Sequence, residues 1–196
     1  MKPAPLFAAL LACGLAIAAP ASRAELPDVD VTVNPADALE GLVFSPTMPS
    51  PAPASVNTIT IRNASNQPMP GVLVEVVRGG PWNLCSGVTL MGITDAAGRA
   101  VITLGGGGMC LDDVGSASLI TANGVTVRRY SNVKSPDFDG VSGNLRVDLP
   151  DLVQFSSEFL DHQPNRCHDY DNNENTGLED VIIFGSAFTA GASCAP

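Results

Sequence analysis

The sequence predicts a mainly β N-terminal sandwich followed by a small α domain of two loop-helix repeats. Three observations carry that expectation. Residues 56–130 contain short alternating or β-branched runs separated by Gly, Asn and Asp. Residues 137–188 contain an acidic loop and an apolar helical stripe that occur twice. The chain has 196 residues with Gly 19, Pro 16, 45% hydrophobic and only 15% charged residues, a turn-rich composition that can still bury a core.

In chain order, the first element is an export signal. Met1-Lys2 gives a positive start, Leu6 to Ala19 is a short apolar run, and Ser22-Arg23-Ala24 places small residues where a signal peptidase cuts. Cleavage is expected after Ala24, with Ala21 as the alternative, so residues 1–24 are a signal peptide and the protein is secreted to the extracellular space or the cell surface. A membrane span is disfavoured because the run is shorter than the roughly 20 residues a bilayer needs and ends at Pro20. Lipidation of Cys13 within Leu10-Leu11-Ala12-Cys13 is the other alternative, although the apolar stretch runs on past that cysteine.

The strands come next. Val56 to Arg62 alternates polar and apolar from Thr58 onward, and Val72 to Val77 is a β-branched run with one charge. Further strands are expected at Leu90 to Thr94, Arg99 to Leu104, Ala117 to Ala122 and Val125 to Tyr130. Asn123-Gly124 joins the last two as a hairpin, because both central residues of a type I′ turn need positive φ. Asp95-Ala96-Ala97-Gly98 reads as a similar turn, Pro49 to Ala54 as a loop, and Gly105 to Gly108 as a flexible loop beside Cys110. Spacing of this kind suggests a sandwich of about seven strands over residues 25–134, with residues 135–196 as the second domain.

Removing the signal leaves Cys85, Cys110, Cys167 and Cys194, an even number that reads as disulfides in an exported chain. Four cysteines allow three pairings; chain position groups Cys85 with Cys110 and Cys167 with Cys194. Zinc is the rival reading, but the chain has no C-x-x-C pair and only two His.

The second domain carries the sharpest pattern. Asp151 to Phe159 recurs 29 positions later as Asp180 to Phe188. Leu152, Phe155 and Phe159 match Val181, Phe184 and Phe188, the stripe of a short helix. Before the second helix, Asp169, Asp171, Asn173 and Asp180 stand at the first, third, fifth and twelfth places of a loop of the length that closes around Ca²⁺, with the carbonyl of Asn175 at the seventh. Carboxylates crowded on one short loop repel each other unless a cation neutralises them; the competing reading is a solvated acidic turn feeding a helix. Aligned back from Asp151 without gaps, the first loop offers Gly140, Ser142 and Asn144. An insertion of about three residues instead brings in Asp137 and Asp139, giving Asp137, Asp139, Asn144 and Asp151 as expected ligands.

Two resemblances follow from these residues. The run "PMPGVLVEVV... GITDAAGRAVITL" resembles bacterial immunoglobulin-like and carboxypeptidase-regulatory-like modules, which implies an immunoglobulin-like sandwich acting as a spacer or adhesive unit. The paired loops and helices from Ser135 to about Ala192 resemble a type I dockerin, with Glu174 where such loops usually carry Gly and an insertion in the first loop. That resemblance implies Ca²⁺ as the bound ion and a cohesin-like protein as partner, often in the attachment of a polysaccharide-degrading enzyme. It implies that partner-facing residues lie on the two helices, at Ser156-Ser157 and Gly185-Ser186. Cys167 and Cys194 would then clasp the second repeat.

Other classes fare worse. A net charge of -10 argues against a nucleic-acid binder, since phosphate affinity rests on clustered Lys and Arg, and Arg128-Arg129 is the nearest approach to such a cluster. His162 and His168 flank the second loop and are expected at the surface or as caps, so no catalytic residues are assigned and the protein is expected not to be an enzyme. Trp82 and Tyr130 are few for a sugar platform. Asn63-Ala64-Ser65 is a formal glycosylation sequon expected to be silent. The expected function is therefore calcium-dependent protein–protein attachment by a secreted protein. The alternatives are an adhesion or matrix component with a structural calcium clip, and a carbohydrate-binding accessory of a polysaccharide-degrading system.

Overall fold

A computed structural model describes residues 30–80, 82–108, 110–112, 115, 117–139, 143–161 and 167–196. The expected signal peptide, His162, Gly140 and Ser142 lie outside the described residues.

The described chain is β-rich, with eleven strands and two helices. The strands are β1 Asp30–Asn34, β2 Gly41–Val43, β3 Val56–Arg62, β4 Leu73–Arg78, β5 Asn83–Leu84, β6 Met91–Ile93, β7 Arg99–Thr103, β8 Gly106–Gly107, β9 Ser118–Ala122, β10 Val125–Tyr130 and β11 Asn132–Lys134. The helices are α1 Leu149–Asp161 and α2 Leu178–Ala190. Six strands fall where β-branched alternation predicts them. The Asn123-Gly124 turn has φ of 48° and 78°, the left-handed backbone that the β9–β10 hairpin requires.

Two antiparallel sheets form, in the orders β1-β3-β7 and β10-β9-β4-β6. Their inward residues, among them Val31, Ile59, Ile61 and Ile102 from the first and Val74, Val76, Ile120 and Ala122 from the second, belong to one buried cluster. At about 25 cal/mol per Å² of apolar surface removed from water, this cluster is the main stabilising term of the strand region. Asp37, in the turn after β1, accepts hydrogen bonds from Tyr130, from Arg128 at 3.3 Å and from the Val33 N–H at 2.8 Å. Burial alone would raise the Asp37 pKa, but these donors together hold it below its ordinary value. Half of the Arg128-Arg129 pair is thereby committed to an internal ion pair.

A second apolar cluster joins the helices to the strands. Phe155 of α1 stacks on Phe184 of α2 with centroids 4.6 Å apart, and Val43, Val147, Tyr170, Ala187 and Ala192 close round them. The stripe works as its spacing implies at Phe155 and Phe184, while Val181 stays 37% exposed. Strand β2 separates the two clusters: Leu42 and Phe44 point into the first and Val43 into the second, a consequence of the two-residue period of a strand. β2 pairs in parallel with β11, so Lys134 is delivered directly behind the second acidic loop.

Two sequence expectations are overturned here. The disulfides are Cys85–Cys194 and Cys110–Cys167, so each ties the strand region to the C-terminal segment and none closes within a half. Tertiary pairing explains this: the chain after α2 returns along the strands, with Ser193 bonded to Met48 and Ser86 to Ala195, which brings Cys194 against Cys85. The second correction concerns Gly105 to Gly108, which are buried and held, with β8 paired to β5. A Cβ on Gly105 would lie 2.4 Å from Val88 and one on Gly107 only 1.6 Å from Asp137, so close packing, and not flexibility, explains this glycine run.

Non-reducing peptide mapping of the oxidised protein should recover Cys85 joined to Cys194 and Cys110 joined to Cys167. The Cys85–Cys194 bridge spans 109 residues, and replacing both cysteines by Ser should lower the unfolding free energy by about 4 kcal/mol in a denaturant titration. A Cys85–Cys110 peptide would contradict this topology.

Candidate metal centre

The second loop runs from Asp169, next to buried His168, to Asp180 in the first turn of α2. Asp180 accepts the N–H of Tyr170 at 2.6 Å on one oxygen and that of Gly177 at 2.7 Å on the other, so one carboxylate closes the loop and caps the helix. Asp169 accepts the N–H groups of Asn173 and Glu174 at 3.1 and 3.0 Å. Asp171 also accepts from the Asn173 N–H, and Asn173 Oδ1 accepts from the Asn175 backbone N–H.

The first loop repeats the bonds to the two end carboxylates. Asp151 accepts from Phe138 at 2.7 Å and from Asp148 at 2.8 Å, as Asp180 does from Tyr170 and Gly177. Asp137 accepts from Asn144 and Leu145 at 3.0 and 2.9 Å, as Asp169 does from Asn173 and Glu174. Leu145 and Glu174 hold matching left-handed backbones, with φ of 65° and 71°. The correspondence places three additional residues between Asp139 and Gly143, and it aligns Asp137, Asp139, Asn144 and Asp151 with Asp169, Asp171, Asn173 and Asp180.

Asp137, Asp139 and Asp151 offer ligand oxygens within 4.8 Å of one another, and so do Asp169, Asp171 and Asp180. Either group can hold a metal ion. The asparagines lie at the rims: Asn144 and Asn173 are exposed and donate to Asp139 and Asp171, and Asn175 is exposed beside them. Asp137, Asp151 and Asp180 have no exposed surface and Asp169 has 1%. Burial, reinforced by neighbouring carboxylates, pushes the Asp137 carboxyl up to about 7 and Asp169 to about 6; for Asp169 the Lys134 charge works in the opposite direction. Burial likewise raises Asp151 and Asp180.

The donor chemistry fits a hard cation. Both groups are all-oxygen, the choice of Ca²⁺, Mg²⁺ or Mn²⁺, whereas the four cysteines among the described residues are engaged in disulfides. Asp139 Oδ1 is buried with no hydrogen-bond partner, an acceptor that a cation would satisfy.

Several supporting residues escape sequence reasoning. Lys134, 2% exposed, donates from Nζ to the Asp169 carbonyl and to Asn172 Oδ1, and lies 3.7 Å from Asp112. Gly107 leaves room for Asp137, and the Gly108 N–H donates to the Asp137 carbonyl at 2.6 Å. His168, expected at the surface or as a cap, is instead 1% exposed and ringed by Phe138, Phe155, Tyr170 and Phe184. A lone Lys on a strand and a His beside a loop both read as surface residues, so no local signal marks these roles.

No protein-family model, curated protein or solved structure matches this chain.

Two outcomes follow from this geometry. Without metal, a carboxyl whose folded pKa lies above its ordinary 3.8 stabilises the fold fully below that pH, and the contribution is lost as pH rises through about 6 and 7. Chelator-treated protein should therefore melt higher at pH 5 than at pH 7.5, with added cation recovering the loss at pH 7.5. Gly107→Ala should displace Asp137 and weaken cation binding at the first loop at least tenfold in a calorimetric titration.

Proposed function

We propose that this is a secreted, non-catalytic protein in which an immunoglobulin-like β-sandwich precedes a dockerin-like module that binds two Ca²⁺ ions and attaches the protein to a cohesin-like partner. The observation that carries the reading is the duplicated cradle: two loops of unlike sequence and length present the same three carboxylates on the same set of backbone donors. Asp137, Asp139, Asp151 and the first-loop Asn144 would hold one ion; Asp169, Asp171, Asn173, Asp180 and the Asn175 carbonyl would hold the other. The ion supplies the positive charge that lets buried carboxylates stay ionised and fixes each loop to the start of its helix. Two disulfides favour an oxidising compartment. Among the described residues no helix is long and apolar enough to cross a membrane.

Attachment is supported by the outer faces of the helices. Leu149, Val153 and Leu160 of α1 and Leu178 and Ile182 of α2 are each more than 60% exposed, a heavy apolar load for two short helices. Ser156 lies between Val153 and Leu160 in sequence, and Gly185 three positions after Ile182.

A second reading, a matrix component whose ions only clip the structure together, is favoured by the two disulfides that fasten the C-terminal segment to the strands, one beside the second loop and one after α2. Carbohydrate binding has weaker support, because Trp82 and Tyr130, the aromatics available for a sugar platform, are 7% and 5% exposed.

Calorimetry of Ca²⁺ into the metal-stripped, oxidised full chain should show two sites, with Asp137→Ala and Asp169→Ala each removing one. Leu178→Asp with Ile182→Asp should abolish capture by an immobilised cohesin while leaving both calcium sites intact. Calcium binding without capture would favour the structural clip; absence of binding at millimolar Ca²⁺ would refute both.

A further inference from the structure

The two loops match closely in their ligands, but one place breaks the symmetry. Glu158, on α1, lies seven positions after Asp151, and its counterpart on α2 is Ala187. Glu158 is 6% exposed and its carboxylate reaches across to the second loop at both ends. Oε1 accepts from the His168 N–H at 3.0 Å and from Thr176 Oγ1 at 2.9 Å, and Oε2 lies 2.8 Å from His168 Nδ1. His168 immediately precedes Asp169, and Thr176 precedes Gly177, whose N–H holds Asp180.

The counterparts of His168, Thr176 and Glu158 are Pro136, Val147 and Ala187, all buried. The first loop thus has an apolar trio where the second has a hydrogen-bonded one. The first loop is braced instead by Gly107, Gly108 and Asn83, whose side chain donates to the Gly143 carbonyl at 2.9 Å. The helix that carries Glu158 has Asp151, one of the first loop's clustered carboxylates, in its first turn. One rigid element therefore holds a ligand of one site at its N-terminus and the clasp of the other two turns later.

We infer that Glu158 is a positioning residue that sets the spacing between the first and last carboxylates of the second loop, and that through α1 it makes cation capture at the second loop depend on occupancy of the first. The inference rests on the two-cation reading above. A group that orients ligands without touching the ion commonly changes metal affinity by about 10–100-fold when removed. Coupling between sites is a free energy that both ligands share, so it is measurable from either loop.

Tyr170 lies inside the second loop between Asp169 and Asp171, whereas the first loop has Phe138 at that place. Terbium emission sensitised by tyrosine therefore reports the second loop of the oxidised full chain, and its loss in Tyr170→Phe verifies the assignment. Disabling the first loop with Asp139→Asn should weaken terbium binding at the second about tenfold. Glu158→Gln should cause a similar loss, and Asp139→Asn should then add less than twofold to it, the non-additivity expected of groups acting as one unit. Calcium affinity of the first loop, titrated in an Asp171→Asn background, should be unchanged by Glu158→Gln, which a general loss of stability would not allow. Should Glu158→Gln fail to fold, Thr176→Val tests the same clasp by a smaller loss at the second loop, and Thr176→Ser should restore it. An unchanged second loop, an equal loss at both loops, or fully additive effects would overturn the inference. Wild-type protein that binds neither terbium nor calcium would instead refute the two-cation reading itself.

Discussion

Four carboxylates with essentially no exposed surface, Asp137, Asp151, Asp169 and Asp180, impose the constraint around which the C-terminal part of this protein is built. An ionised carboxylate is costly to bury, and two or three together cost more, unless backbone donors and positive charge surround them. The chain supplies the donors in duplicate, since each of the four accepts at least two backbone N–H groups. Positive charge is supplied to the second group by Lys134, which lies against the Asp169 carbonyl. Lys134 bears the reciprocal effect: burial lowers its pKa, and Asp112, Asp169, Glu158 and Asp180 together offset part of that lowering.

That constraint depends on the strands as much as on the loops. β2 is a wall common to both apolar clusters, and its parallel partner β11 ends at Lys134, so the sheet edge places the buried ammonium where the second loop needs it. The β5–β8 ribbon does the corresponding work for the first loop, because glycine at 107 lets the backbone pass beside Asp137 where any side chain would collide. Cys110–Cys167 and Cys85–Cys194 then fasten the C-terminal segment to the strands at two separate places. The loops are accordingly held from outside the repeat as well as within it, which reduces the entropy lost when a cation orders them.

The departures from exact repetition are informative in the same terms. Leu145 and Glu174 adopt φ values that glycine would adopt more easily, a cost of about 1–2 kcal/mol each that the surrounding hydrogen bonds enforce. The two sites are braced differently, by polar groups from α1 at one and by close backbone packing at the other. Sites with identical ligands can therefore differ in affinity through their supports alone.

Sequence by itself determined the local features. The β-branched alternation of β3 and β4, the Asn123-Gly124 hairpin, the two helices with Phe155 and Phe184 on their inner faces, and both sets of aspartates are all legible, because each depends on spacing within about a dozen residues. The alternation of Asp30 to Asn34 was equally readable, whereas β2, β5, β8 and β11 are two or three residues long and exist only because a partner strand lies beside them. Tertiary structure alone decided the rest. Which cysteines meet, why four consecutive glycines are rigid, where Lys134 points and what Glu158 holds all depend on segments from about 10 to more than 100 residues apart, and a linear pattern has no record of which distant backbone will be packed against it.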